Sequence, residues 1–202
     1  MTAPAEAHAR IAVIGLGNVL FGDDGFGPFV IELLRAGWEF PEDVALVDVG
    51  TPGLDLVTHL DNREQVILVD AVGATGRPGE LRLYPSEDLR KMSPQPRVSP
   101  HDPAVQETLW ITELAGCGPR EVLVVGVIPD SLELGAGLSA PVRHATSAAA
   151  ALVVGELAKG GTVAVPRPNP RLPDAWWMRK PHRATFPALP DERQDTGAAP
   201  RA

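Results

Sequence analysis

The sequence predicts an α/β fold: three layers, αβα, with a mostly parallel twisted sheet of about five strands. Runs rich in Val, Ile and Leu recur along the chain, and segments with apolar residues at helical spacing lie between them. Glycines mark most of the boundaries between the two kinds of segment. Strands that alternate with helices in this way form a parallel sheet that is covered on both faces.

The first half of the chain contains three such strands. The predicted elements are a short disordered lead at 1–9, a strand at 10–16, a helix at 25–36, a strand at 44–49, a short helix at 54–60 and a strand at 66–72. Pro28 suits the first turn of the long helix, and Gly37 suits its end. Asp70 interrupts the third apolar run, and burying a carboxylate alone is costly. We therefore expect Asp70 to be paired or to lie at the open end of its strand.

The second half continues the alternation after a proline-rich stretch. The predicted elements are an edge strand at 80–84, an irregular loop at 85–103, a helix at 102–115, a strand at 122–128 and a helix at 141–159. The edge strand alternates in polarity, so it is expected to pair antiparallel. The loop carries His101, directly before the Asp-Pro pair that suits the start of a helix.

Composition limits the class of protein. With 202 residues and 44% hydrophobic content, the chain forms one domain with a substantial core, which we place at 10–160. The net charge of -8 argues against binding to nucleic acid or to an anionic membrane. Cys117 is the single cysteine, so an internal disulfide is excluded. No signal-peptide core or long apolar run is present, and we expect a cytoplasmic protein.

The last residues, 161–202, differ from the rest of the chain. They contain eight of the 21 prolines, and their basic residues outnumber their acidic ones. This composition predicts an extension that is flexible or docked on the surface. The adjacent Trp176 and Trp177 favour docking, either on the domain or on a partner.

A glycine-rich stretch, GLGNVLFGDDGFG, follows the first strand and has two competing interpretations. Gly15 and Gly17 fit the start of a dinucleotide-binding fingerprint, but Leu20 occupies the position of its third glycine. Asp23 and Asp24 would also repel a phosphate. The loop is thus suited to a cation, although an aspartate here also suits the capping of the next helix.

Four side chains with metal-binding or proton-transfer chemistry follow strands of the predicted sheet. Asp24 follows the first strand, Asp48 ends the second and Asp70 lies late in the third. His101 is on the proline-rich loop after the fourth β segment. Ligands of open α/β sheets bind beyond the carboxyl ends of the strands, so these four groups can converge on one rim. Two carboxylates and an imidazole suit nickel, zinc or iron. The remaining histidines lie in terminal segments or on helices: His8, His59, His144 and His182. The sequence contains no HExxH, CxxC or GxSxG motif, which argues against a standard zinc or serine hydrolase.

The order and spacing of five segments identify a family resemblance. The segments are GLGNVLFGDDGFG, VDVGTPGLDL, VILVDAV, SPH and VVGVIPDSLELGAGLS. Together they resemble the nickel-iron hydrogenase maturation endopeptidases over residues 10–160. The resemblance implies a twisted sheet between helical layers and three nickel-binding positions, at Asp24, Asp70 and His101. In some members the first of these is Glu. It also implies a functional acidic residue at Asp48.

The resemblance implies a function as well. Members of this family remove the C-terminal extension of the hydrogenase large-subunit precursor, and nickel already bound to that precursor serves as the recognition signal. Nickel would either activate the scissile carbonyl or a water, or only position the precursor. Two alternatives are a non-catalytic chaperone for the precursor and a small-ligand-binding α/β module. We expect a monomer.

Overall fold

The computed structural model describes residues 9–91 and 102–178. The strands are β1 (Ile11–Leu16), β2 (Trp38–Glu39), β3 (Val44–Gly50), β4 (Gln65–Ala71), β5 (Leu81–Pro85), β6 (Glu121–Val127) and β7 (Val165–Pro166). The helices are α1 (Phe26–Gly37), α2 (Val57–Leu60), α3 (Ser86–Lys91), α4 (Asp102–Leu114) and α5 (Ala140–Lys159). Short 3-10 turns lie at Gly22–Gly25, Gly53–Leu56 and Trp176–Met178.

Five strands form one sheet in the order β3-β1-β4-β6-β5. The pairs β1–β3, β1–β4 and β4–β6 are parallel, and only β5 runs antiparallel, at the edge next to β6. Both the predicted fold class and the predicted antiparallel edge strand are therefore confirmed.

Alternate residues of the strands pack against opposite helical layers, as the two-residue period of a strand requires. Val13 and Ile67 belong to the core cluster that contains α1 and α5. Ile14 and Leu68, one position later in each strand, belong to the cluster that contains α2 and α4. The continuous apolar runs in the sequence arise because both faces of the sheet are buried.

The start of α1 lies unusually close to the sheet. A Cβ atom on Gly27 would lie 2.2 Å from the carbonyl oxygen of Leu16 and 2.3 Å from that of Val69. No real side chain fits in that space, so only glycine permits this approach. The first turn of α1 is thereby held directly over the ends of β1 and β4.

One sequence-based expectation about the second half is wrong. The loop predicted at 85–103 contains α3 directly after Pro85, because the next proline comes only at Pro94. Glu87 and Asp88 in the first turn of α3 suit a helix N-terminus. Ser86 anchors this helix to β6, since its hydroxyl donates to the Val122 carbonyl at 3.0 Å and accepts from the Val122 N–H at 2.9 Å.

The chain after α5 returns across the outside of α1. Strand β7 pairs antiparallel with β2, and the N–H groups of Arg167 and Arg171 donate to the carbonyls of Gly37 and Ala36. The Arg167 guanidinium also pairs with Glu39 at 2.9 Å. This segment ends at the Trp176–Met178 turn. None of the helices described is long and apolar enough to cross a membrane.

Candidate active site

The topology of the sheet creates a crevice between β1 and β4. After β1 the chain passes through α1 to β3, on one side of this pair of strands, and after β4 it passes to β5, at the opposite edge of the sheet. The loops that follow β1 and β4 therefore diverge at the carboxyl end of the sheet. Ligands of open α/β sheets bind at this kind of switch point.

Asp24 lies at this crevice, on the 3-10 turn between β1 and α1. Its side chain is 3% exposed, and its Oδ2 accepts a hydrogen bond of 2.7 Å from the Asn18 N–H. The turn is tight because Gly17 has a φ of 122°, and a Cβ there would lie 1.8 Å from the Asp24 carbonyl oxygen. Gly17 thus permits the loop to fold back on itself.

Asp70 lies on the other side of the same crevice, next to last in β4. It is 3% exposed, and its Oδ1 accepts a hydrogen bond of 2.7 Å from the Ala71 N–H. Gly27, three positions after Asp24, approaches the carbonyl of Val69, directly before Asp70. The contact between the start of α1 and the end of β4 therefore brings the loop of Asp24 and the strand of Asp70 to one place.

Asp23 has a role that the sequence analysis missed. Its carboxylate is fully buried and accepts four hydrogen bonds from the loop after β6. The donors are the N–H groups of Asp130 (2.8 Å), Ser131 (3.1 Å) and Ser139 (2.7 Å) and the Ser139 hydroxyl (2.9 Å). Neither Asp23 nor Asp24 caps α1, because its N-cap residue is Gly25 and no side chain caps it. The two adjacent aspartates therefore have different roles. Asp23 binds a distant loop, and Asp24 lies at the crevice.

Asp48 lies on the neighbouring edge of the rim, near the end of β3. Its side chain is exposed, and its Oδ1 accepts a hydrogen bond from the Gly50 N–H at 3.1 Å. Loss of water around the carboxylate raises the pKa of Asp48 above its ordinary value, and the Gly50 N–H and the charge of Arg35 oppose this effect. Asp48 also lines a cleft of about 210 Å³ together with Trp176 and Trp177.

The donor set at the crevice suits a divalent metal ion. Asp24 and Asp70 supply carboxylate oxygens, and the backbone N–H groups that bind them fix their orientation, as second-shell donors do at metal sites. His101, the predicted third ligand, lies outside the described residues. Within 9–91 and 102–178, no cluster of three histidine, cysteine or acidic residues forms a metal site.

The other histidines follow the sequence-based placement where the structure describes them. His59 lies on α2 and His144 on α5, where the Nδ1 atom of His144 is 2.7 Å from the Ala140 carbonyl oxygen. His8 and His182 lie outside the described residues.

Comparison with known proteins decides the family. The family model described as HycI, hydrogenase maturation protease, matches residues 28–156, which is more than half of the chain. The chain belongs to the hydrogenase maturation protease family. This membership confirms the resemblance that the five sequence segments indicated.

Individual relatives agree. The hydrogenase expression/formation protein HupM of Azotobacter chroococcum mcd 1 is 37% identical over 159 residues, spanning 78% of this chain and 76% of that protein. The hydrogenase 2 maturation protease of Escherichia coli (strain K12) is 32% identical over 159 residues, spanning 78% and 96%. The solved hydrogenase maturating endopeptidase HybD from E. coli has a TM-score of 0.74 at 32% identity, covering 78% of this chain and 98% of that chain.

The family match includes the positions of Asp48, Asp70 and His101 and begins shortly after Asp24. The structure brings Asp24 and Asp70 to one crevice and places Asp48 on its neighbouring edge. The run PDSLELGAGLS supplies the backbone donors to Asp23, and no local pattern in the sequence indicated this contact.

Proposed function

We propose that this protein is an endopeptidase that removes the C-terminal extension of a nickel-loaded hydrogenase large-subunit precursor. The observation that carries the proposal is the pair of buried carboxylates, Asp24 and Asp70, at the switch-point crevice of a hydrogenase maturation protease. Backbone N–H groups hold both carboxylates in place, and carboxylate oxygens are ligands for divalent metal ions.

The proposed recognition signal is the nickel ion of the precursor, which is part of the substrate. Asp24 and Asp70 would each offer a carboxylate oxygen to it, and His101 would offer an imidazole nitrogen. Oxygen and nitrogen donors of this kind suit borderline divalent ions. The hydrogen bonds from Asn18 and Ala71 hold the two carboxylates in orientation before the precursor arrives. A precursor without nickel would lack the charge that these carboxylates favour.

The reaction is the hydrolysis of one peptide bond. Water adds its oxygen to the scissile carbonyl carbon, the C–N bond breaks, and the leaving amine takes up a proton. Nickel would supply Lewis acidity or serve only to position the bond. A carboxylate at the rim would accept the proton of the water as general base. We propose Asp48 for this role, because it lies at the rim and loss of water around its carboxylate raises its pKa, which makes it a stronger base.

We also propose that the protein acts as a monomer, because the contact that brings Asp24 and Asp70 together, between the start of α1 and the end of β4, lies within the chain. Light scattering at working concentration would show the mass of a single 21.4 kDa chain. A stable dimer would contradict this part of the proposal.

The function is tested by incubating the protein with nickel-loaded precursor and following the precursor by mass spectrometry. We expect loss of a C-terminal fragment. Asp24→Asn and Asp70→Asn should each lower the rate by at least about a hundredfold. Asp55→Asn is the matched control, since Asp55 is an exposed acidic residue of the Gly53–Leu56 turn.

The same experiment separates the alternatives. A chaperone would bind the precursor without changing its mass, and a small-ligand module would neither bind nor shorten it. Full cleavage by both Asn variants would reject the proposed nickel site.

A further inference from the structure

We infer that Trp176 and Trp177 form one wall of the substrate cleft and contact the precursor segment that flanks the scissile bond. This inference rests on the proposed function and adds a specificity element to it. The tryptophan cleft is the space of about 210 Å³ whose lining includes Asn18, Asp48, Thr51, Trp176 and Trp177.

The C-terminal segment that carries the tryptophans is held against the domain at several points. Strand β7 pairs with β2, Arg171 donates its N–H to the Ala36 carbonyl, and Arg167 binds the Arg35 carbonyl and the Glu39 carboxylate. These contacts fix the direction in which the chain approaches the carboxyl end of the sheet. The two indoles are therefore presented by an anchored segment.

Asn18 links the tryptophan cleft to the candidate active site. This residue lines the cleft, and its N–H donates to the Asp24 carboxylate. The other walls come from the loops that follow β1 and β3. When the scissile bond of a peptide lies at Asp24 and Asp70, the residues on one side of that bond lie in the tryptophan cleft.

The chemistry of the cleft defines what it accepts. Trp176 is 63% exposed, although indole is one of the largest apolar side chains, and it contacts Trp177 edge-to-face with centroids 5.8 Å apart. Exposed tryptophans offer rigid apolar surface and an N–H donor, and they are enriched where proteins bind partners. Asp48 is the ionisable side chain in the lining and disfavours acidic residues. The occupant is thus an extended peptide with apolar, non-acidic side chains.

The first test measures cleavage rate against precursor concentration for the full-length protein. For the double variant Trp176→Ala/Trp177→Ala we expect KM to rise about tenfold, with kcat within about twofold, as for loss of an interface anchor. Leu172→Ala is the matched control, because Leu172 is an apolar residue of the same segment that is 92% exposed and is not part of the cleft lining. An unchanged KM in the double variant overturns the inference.

The second test uses the unsubstituted protein and so does not depend on the folding of a variant. A millisecond hydroxyl-radical pulse is applied with and without saturating precursor, and oxidation of Trp176 is measured by mass spectrometry. We expect precursor to protect Trp176 and to leave Leu172 unchanged. Equal oxidation overturns the inference. Weak oxidation of Trp176 in the absence of precursor also overturns the inference. That result would mean that another part of this chain or a second copy of it fills the cleft.

The two tests distinguish the inference from the function on which it rests. Protection of Trp176 by a precursor that stays uncut would overturn the proposed endopeptidase activity but retain the cleft. Cleavage with a normal KM in the double variant would overturn the cleft alone. A precursor that is neither cut nor protective overturns both.

Discussion

Asp23 and Ser139 are joined by two hydrogen bonds, although 116 positions separate them in the chain. The carboxylate of Asp23 accepts the Ser139 N–H at 2.7 Å and the Ser139 hydroxyl at 2.9 Å. The loop between β1 and α1 is thereby tied to the loop between β6 and α5. Since Asp24 is the next residue, this pair of hydrogen bonds helps to hold Asp24 at the crevice, and Asp23 is a positioning residue.

Replacing Asp23 by alanine should destabilise the fold strongly. The change would remove a fully buried carboxylate and leave its four donors, two of them on Ser139, without their acceptor. We expect the free energy of unfolding to fall by about 3 kcal/mol or more. Urea denaturation measures this, with Asp55→Ala as a surface control that should change it by less than about 0.5 kcal/mol. A similar small loss in both variants would contradict the role of Asp23.

Replacing Asp24 by glutamate tests whether cleavage depends on the negative charge of this side chain or on its size. Glutamate keeps the negative charge but adds one methylene to a side chain that is 3% exposed, which costs about 1–3 kcal/mol of stability. We expect Asp24→Glu to cleave precursor within about tenfold of the unsubstituted rate and to exceed Asp24→Asn clearly. The measurement is the initial rate of precursor shortening. Equal rates for the two variants would show that the charge of this residue is not needed.

Two glycines of α1 provide a matched pair for the close approach of the helix to the sheet. A Cβ on Gly27 would lie 2.2 Å from the Leu16 carbonyl oxygen, whereas a Cβ on Gly37 would meet nothing within 4 Å. Gly27→Ala should therefore lower stability by about 3 kcal/mol or prevent folding, which exceeds an ordinary overpacking cost because backbone atoms are involved. Gly37→Ala should be neutral or slightly stabilising. Thermal unfolding of both variants checks this, and equal midpoints would contradict it.

The raised pKa of Asp48 predicts a pH-dependent effect of Asp48→Asn. The folded state holds the proton of Asp48 more tightly than the unfolded chain does. Its contribution to stability is therefore present below the unfolded pKa of about 3.9 and is lost as pH rises through the folded pKa. Asparagine does not ionise, so the variant should gain stability relative to the unsubstituted protein as the pH rises from about 4 through the folded pKa of Asp48.

Urea denaturation across this pH range measures the effect at Asp48. The Gly50 N–H keeps an acceptor in the variant, because the amide oxygen of asparagine replaces the carboxylate oxygen. A difference in stability that stays constant or falls with rising pH would contradict the prediction.

Much of the fold followed from local patterns in the sequence. The β-branched runs became β1, β3, β4 and β6. Apolar residues at helical spacing predicted α1 and α5, and the Asp102-Pro103 start predicted α4, each within one or two residues. Such patterns can be recognised within a single segment, because they depend only on which faces of that segment are buried. The position of an aspartate relative to a strand is also visible in the sequence. Asp24 follows β1 and Asp70 lies near the end of β4, so both could be assigned to the carboxyl rim without knowledge of any contact between segments.

Only the tertiary structure decided what depends on contacts between distant segments. It assigned Asp23 to a loop more than a hundred residues away, and it placed Trp176 and Trp177 beside Asp48 through the pairing of β2 with β7. Asp23 accepts four hydrogen bonds and Asp24 lies at the crevice, but the sequence does not distinguish them. Both are aspartates of the same GDDG segment. The sequence determined which residue types stand at the rim, and the packing of the chain determined which of them hold the structure and which face the crevice.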